Sequence, residues 1–297
     1  MIFLSCGTWL GRYLQSDMSK LPAFTAIRYV QPLREGGSLP AVVDTDAGGL
    51  FVAKFRGAGQ GVKALIAELI AGLLALEVGL PVPELALIDV PESFGKSEPD
   101  PEIQDLLRAS HGINFGMRYL DGAFNFDVSA AGEFISPNLA TRIVWFDAFL
   151  SNPDRTHRNP NLLIWNRKPW LIDHGAALYV HHNWRAVDET KTRAPFSLIR
   201  SHVLLAASGD VDVDDVDAEM AGSLGTDVIE RVVSGVPDAL LTDDSVAADF
   251  PTVDAARSRY VSYLTMRLES PRGFVDGIVA ARERASRSTP IRLAARR

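Results

Sequence analysis

SNPDRTHRNPNLL (151–163) and LIDHG (171–175) decide how this chain is read. The first stretch sets two turn-forming prolines, three asparagines, an acid, two arginines and a histidine between apolar segments. Upstream, NLATRIVWFDAFL (138–150) has a helical pattern, with Ser136 or Asn138 as its cap. Downstream, LLIW (162–165) reads as a strand, Asn166–Arg167–Lys168–Pro169 as a turn, and WLID (170–173) as its antiparallel partner. That hairpin can return Asp173 to the neighbourhood of Asp154 or Asn161. Two carboxylates and an amide oxygen are hard ligands suited to Mg²⁺, which commonly also uses substrate phosphates. Taken separately, the pieces are also explained by an Asx-turn at Asn152–Pro153–Asp154 and a turn cap at Asp173.

Working towards the N-terminus, FTAIRYVQPL (24–33), PAVVDT (40–45) and LFVAKF (50–55) predict three short strands joined by glycine-containing turns. Val62, Leu65, Ile66, Leu69, Leu73 and Leu76 recur at helical spacing, and Gly79 and Pro81 stop that helix. ELALIDV (84–90) and INFGMRYL (113–120) add a fourth and a fifth strand, with a short helix over 102–110 between them. Lys54 lies between Ala53 and Phe55, where strand alternation directs it inward with Val52. An unpaired buried ammonium is costly, and Glu68 lies near the core-facing stripe of the following helix. A strand lysine paired with a helix glutamate fixes a positive charge at one point. The plainer reading is an edge lysine that snorkels to water and a solvated glutamate.

The chain has 297 residues, 47% of them hydrophobic, and a formal net charge of −7. Length and composition allow a large core in two domains or one two-lobed domain. The charge argues against coating a polyanion, and no nucleic-acid signal appears. One cysteine, Cys6, suits a reducing cytoplasm. No run of 18 uncharged apolar residues suggests a membrane span. Residues 1–23 read as a loosely ordered tail in which Met18 could serve as the start. The acidic stretch 209–218 lacks the pattern of a calcium loop. From about residue 195 the patterns are mostly helical: SLIRSHVLLAA, DVIERVVSGV, ARSRYVSYLTMRLES and GFVDGIVAARERA.

Together these pieces form an ordered list: glycine-containing hairpin, strand lysine, helix glutamate, strand, exit turn, helix, polar Asp/Asn loop, hairpin, Asp-x-Gly. Over roughly residues 24–180 that order resembles the protein-kinase-like superfamily. The wording DRTHRNPN…LIDHG looks closest to the bacterial HipA-like kinases and echoes the phosphoinositide-type kinases. The resemblance implies an α+β, two-lobed fold. Residues 24–120 would carry an antiparallel sheet with one helix, and residues 121–290 a mainly helical part.

The resemblance also implies roles. Lys54 would contact the α- and β-phosphates of ATP and pair with Glu68. Gly36, Gly37 and Ser38 would cap the phosphates, although EGGS departs from GxGxxG. Asp154 would orient or deprotonate an acceptor hydroxyl, and Asp173 would hold Mg²⁺. Met117 would back the adenine pocket, with Arg118 and Leu120 offering backbone hydrogen bonds. For the second metal ligand, spacing favours Asn159 and position before the strand favours Asn161; spacing is given slightly more weight. Arg155, His157 and Arg158 either neutralise phosphate or brace the loop. His174 stands where an aromatic residue is usual, which disfavours a Phe-based switch.

The implied activity is an ATP/Mg²⁺-dependent transfer to Ser/Thr of a protein or of the chain itself. A small-molecule or lipid-headgroup kinase, a nucleotide-binding scaffold and a metal hydrolase are the competing readings. The hydrolase leaves Lys54 and Glu68 unexplained. Such kinases often act with a DNA-binding antitoxin, but residues 1–23 are too short for the extra N-terminal domain of longer relatives. The toxin role is therefore not carried over.

Overall fold

The computed structural model describes residues 21–33, 39–46, 49–96 and 98–288. The chain is mixed α+β, with a sheet-rich N-terminal part and a helical C-terminal part. It gathers into two compact units. The first comprises residues up to Leu73, Glu84–Tyr119 and Thr226–Val261. The second comprises Leu74–Pro83, Leu120–Gly225 and the residues from Ser262 onward.

In the first unit, five strands close into a barrel in the order β1-β2-β3-β5-β4: β1 (Ala23–Pro32), β2 (Ala41–Thr45), β3 (Leu50–Lys54), β4 (Leu85–Val90) and β5 (Gly112–Arg118). Four pairings are antiparallel, as expected. The fifth, between β1 and β4, is parallel and closes the ring. Alternation sets the inward face as Phe51 and Ala53 of β3, buried beside Val43, Ala86 and Ile88; Val52, expected inward with Lys54, falls on the other face and is half-buried, because the barrel core takes the alternate residues. Closure leaves few unpaired strand edges for water or another chain to reach.

Helix α1 (Gly61–Glu77) is apolar nearly all round and is buried accordingly. It ends in a Schellman motif. Leu80 N–H donates to Ala75 O at 2.8 Å and Gly79 N–H to Leu76 O at 3.0 Å, with Gly79 at φ 68°. A second helix, α2 (Pro101–Ala109), lies between β4 and β5, capped by Asp100. The sheet-rich stretch thus holds two helices.

In the second unit, α3 (Pro137–Phe149) starts with Ser136 as N-cap and proline at its first turn. From Ile143 to Phe149 every residue of α3 is buried. Strands β6 (Phe124–Asn125), β7 (Leu162–Trp165) and β8 (Lys168–Leu171) form a small antiparallel sheet. Asn166 and Arg167, both with positive φ, make the two-residue turn between β7 and β8. Strand β8 is displaced from the expected 170–173 and stops short of Asp173: the Ile172 amide still donates to Asn161 O at 3.1 Å in the register of the ladder, and positive φ at Asn161 (49°) and Asp173 (54°) turns the backbone out of it.

Of the C-terminal helical patterns, three appear as α5 (Thr226–Ser234), α6 (Val253–Leu268) and α7 (Gly273–Ser288). The acidic stretch runs into α4 (Val213–Ser223), with Asp212 as its cap. SLIRSHVLLAA is instead a short 3₁₀ turn, Ser197–Ser201, followed by extended backbone at His202. Tertiary bonds override the local pattern there. Thr156 and His202 form a β-bridge, and Val203 N–H donates to Arg155 O at 3.1 Å.

Candidate functional site

Two clusters collect the chemistry-bearing residues, one in each unit. In the first unit, Lys54 ends β3 and forms a direct ion pair with Glu68 of α1. Lys54 is 7% exposed and Glu68 is fully buried. The predicted pairing is therefore present. The two partners need each other, since breaking a buried pair costs about 3–5 kcal/mol.

Met117 lies on β5, opposite Val52 of β3 and Leu85 of β4, and is buried. Arg118 sends Nε and Nη2 to Glu84 Oε2, at 2.9 and 2.7 Å, and lies 4.2 Å over the Phe51 ring. Its backbone N–H is already taken by Glu84 O at 2.7 Å. Leu120 is buried, and its carbonyl accepts from Ala123 N–H at 3.1 Å. Gly36, Gly37 and Ser38 lie outside the described residues.

In the second unit, the loop after α3 is built around a buried guanidinium. Arg155 Nε donates to Asp147 Oδ2 at 2.6 Å. Its Nη1 reaches Asn161 O at 2.5 Å and Ile172 O at 3.4 Å, and Nη2 lies 3.4 Å from His174 Nδ1. Arg155 thus braces the loop, one of the two roles open for it from the sequence. It gathers the backbone just before β7 and just after β8, so Asn161 and Asp173 are held at one end of that hairpin. Asp154 N–H donates to Asn152 Oδ1 at 3.1 Å, and Asn152 Nδ2 in turn to Asp147 Oδ1 at 2.9 Å. Asp147 therefore anchors the loop on both sides of Asp154.

Asp154 Oδ2 accepts Asn159 Nδ2 at 2.8 Å and Asn161 Nδ2 at 3.2 Å. Both amides fix the same carboxylate oxygen, and neither bond uses Asp154 Oδ1. Asn159 is exposed, whereas Asn161 is 8% exposed and bonded through its carbonyl to the Ile172 amide. Asn161 and Asp173 both hold positive φ, 49° and 54°, as do Ser151 and Leu178 at 54°. Such backbone costs of order 1–3 kcal/mol per residue and persists only where the surroundings impose it, commonly at functional sites.

Two residues of this cluster, Asp147 and His202, were not singled out from the sequence. Both interrupt apolar runs, and a buried polar group demands a partner, so the signal was present. Burial by itself would raise the Asp147 carboxyl; the Arg155 charge and the His202 hydrogen bond outweigh it and hold the carboxyl below the usual carboxylate range. Burial pushes His202 down, against the opposing pull of Asp147. His202 Nδ1 accepts from Leu204 N–H at 3.1 Å, so the proton sits on Nε2, 2.9 Å from Asp147 Oδ2.

The C-terminus of α3 is also fastened. Arg267, buried near the end of α6, donates Nη2 to Ala148 O at 2.8 Å and Nε to Phe149 O at 2.7 Å. These are carbonyls that a helix end leaves without intrahelical partners.

Among the described residues, no group of three or more His, Cys, Asp or Glu could hold a metal ion. Asp154, Asn161 and Asp173 do offer the oxygen donors of a Mg²⁺ site completed by substrate phosphates, so the residues present fit that ion.

The HipA-like kinase family matches residues 26–199, more than half of the chain, and the chain belongs to the HipA-like kinase family. That membership supports a kinase-type phosphotransferase. Among solved structures, the Helicobacter pylori proinflammatory kinase CtkA aligns at 12% identity, covering 84% of this chain and 97% of that one, with a TM-score of 0.47. At that score the likeness is loose. Among curated proteins, none matches the chain. No helix among the described residues is long and apolar enough to cross a membrane.

Proposed function

We propose that the chain transfers the γ-phosphate of ATP, with Mg²⁺, to a hydroxyl group, a serine or threonine of another protein or of itself. The observation that carries this reading is the bracing of Asp154, Asn161 and Asp173 by Arg155 and by the Ile172–Asn161 backbone bond. An ordinary capped turn would not need a buried guanidinium to gather both ends of a hairpin.

In this reading Asp154 receives the acceptor hydroxyl's proton at Oδ1. The amides of Asn159 and Asn161 hold Oδ2 and so orient the carboxylate. Asn161 and Asp173 would hold Mg²⁺, which would supply charge neutralisation for the phosphates. This reverses the slight preference for Asn159. Asn161 is the asparagine tied to the segment leading into Asp173, and Asn159 serves to position Asp154. Lys54, aimed by Glu68, neutralises the α- and β-phosphates. Met117 backs the adenine; the Arg118 N–H is committed to the sheet, which leaves the Leu120 amide as the donor towards it.

Calorimetric titration with ATP, with and without Mg²⁺, tests the nucleotide half of this proposal. Wild type should bind, Lys54→Met should bind at least tenfold more weakly, and Asp173→Ala should lose the Mg²⁺ dependence. Absence of ATP binding by the wild type would overturn the proposal. Binding without transfer to any acceptor would select the scaffold reading.

A further inference from the structure

The Lys54–Glu68 pair joins the last residue of β3 to the middle of α1, so its geometry depends on the connection between them, residues 55–60. On one side that connection is anchored to β5 and to the C-terminal end of α2. Arg56 N–H donates to Asn114 Oδ1 at 2.8 Å, and Gly57 N–H to Ser110 Oγ at 3.2 Å. On the other side it meets a segment some 190 residues away in the chain. Arg56 Nη2 lies 3.0 Å from Asp243 Oδ2, and Lys63 Nζ 2.8 Å from Asp249 Oδ2. Arg56 is two residues after Lys54 and Lys63 is five before Glu68, so the two ion pairs bracket the functional pair.

The side chains of Lys63 and Asp249 are 12% and 17% exposed, and those of Arg56 and Asp243 are 22% and 25% exposed. Solvent screens pairs at such depth less than fully exposed ones.

Helix polarity gives a second reason. The first turn of α1 contains Lys63 and no acid, although a helix N-terminus favours negative charge. Asp249 brings the missing anion from elsewhere in the chain. The platform that presents both carboxylates is itself firm. Leu240, Leu241 and Val246 are buried, Asp243 Oδ1 accepts from Ser245 N–H and Oγ, and Arg257 ties Val236 O and Asp238 Oδ1 at 2.8 and 2.6 Å.

We propose that Asp243 and Asp249 are positioning residues for the Lys54–Glu68 pair. By clamping the β3–α1 connection they set the affinity for the nucleotide's phosphates. The inference rests on the function proposed above. It assigns a role to the 238–250 segment, which lies outside the 26–199 match.

The test uses the full chain. Asp243→Asn/Asp249→Asn should raise the KM for ATP roughly three- to tenfold, the loss expected for two partly screened pairs, while kcat changes less than twofold. Lys63→Asp and Asp249→Lys should each show the effect, and their combination should restore at least half of it. In the absence of nucleotide, hydrogen exchange over Gly61–Glu77 should accelerate in the double neutralised variant and recover in the charge exchange. A folded double variant with wild-type KM and wild-type exchange in α1 overturns the clamp. So does a fall in kcat alone, or a charge exchange that restores nothing. A wild type that neither binds nor consumes ATP overturns the proposed function instead, and the exchange data still decide whether the two carboxylates hold α1.

Discussion

Replacing Asp147 by asparagine should be among the most damaging conservative changes in this chain. The carboxylate is fully buried. Its Oδ2 receives Arg155 Nε at 2.6 Å and His202 Nε2 at 2.9 Å, and its Oδ1 receives Asn152 Nδ2 at 2.9 Å. The variant keeps the shape, but it removes the only full negative charge that these contacts give the buried Arg155. It also turns an NH₂ group towards donors. Removing one partner of a buried ion pair costs about 3–5 kcal/mol, because the other charge is left uncompensated. For a chain of this size, at about 2 °C per kcal/mol, the midpoint of thermal unfolding should fall by roughly 6–10 °C. Circular dichroism during heating reads this directly, with Asp154→Asn at the partly exposed acid of the same loop as a control. A fall of under about 2 °C for Asp147→Asn would refute the view that this carboxylate anchors the loop.

Further expectations follow from the same geometry. His202 is neutral in the fold and its proton affinity is depressed, so the unfolded chain binds protons more readily below the ordinary histidine value of about 6.5. Wild-type stability should therefore decline as pH falls below that value; His202→Gln should flatten that limb, and unchanged pH-denaturation curves would count against it. The depressed Asp147 carboxyl adds a separate loss at more acidic pH: its contribution is complete above about 4 and disappears as pH falls through its lower folded value. Asn161→Ala should raise the Mg²⁺ concentration for half-maximal transfer at least tenfold, while Asn159→Ala should lower kcat with little change in Mg²⁺ dependence; the reverse pattern in a metal titration would return the ligand role to Asn159. Arg267→Met leaves the Phe149 carbonyl without the Arg267 donor, a loss of about 1–3 kcal/mol, while the Ala148 carbonyl keeps the Ser151 N–H at 3.2 Å, and chemical denaturation should show the loss.

Much of this was legible in the residues because local rules and tertiary structure agree. The alternation in FVAKF and the 3.6 period of α1 place Lys54 and Glu68 on facing surfaces, and they pair. The Asn166–Arg167 turn and the apolar LLIW strand likewise follow from turn chemistry and β propensity. What was not legible rests on long-range bonds. Parallel pairing of β1 with β4, which closes the barrel, leaves no trace in either strand's own pattern. The SLIRSHVLLAA stretch has a helical period, yet His202 is drawn out of it by Asp147 and Thr156, 55 and 46 residues away in sequence. The choice between Asn159 and Asn161 set spacing from Asp154 against position before the strand, and the sequence does not say which of the two is tied to the segment before Asp173. That depends on one backbone bond, Ile172 to Asn161. The carboxylates Asp243 and Asp249 carry no motif, and their importance comes only from which cations the folded chain sets beside them.

Phosphate transfer through the Asp154–Asn161–Asp173 cluster can be read directly from labelled nucleotide. The chain should be incubated with Mg²⁺ and ATP labelled at either the α or the γ position, alone and with a protein extract. Incorporation from [γ-³²P]ATP but not from [α-³²P]ATP, lost by several orders of magnitude in both Asp154→Ala and Asp173→Ala, is the predicted result. Incorporation that survives in both folded variants, or none from either nucleotide by a wild type that binds ATP, would contradict phosphate transfer through these residues.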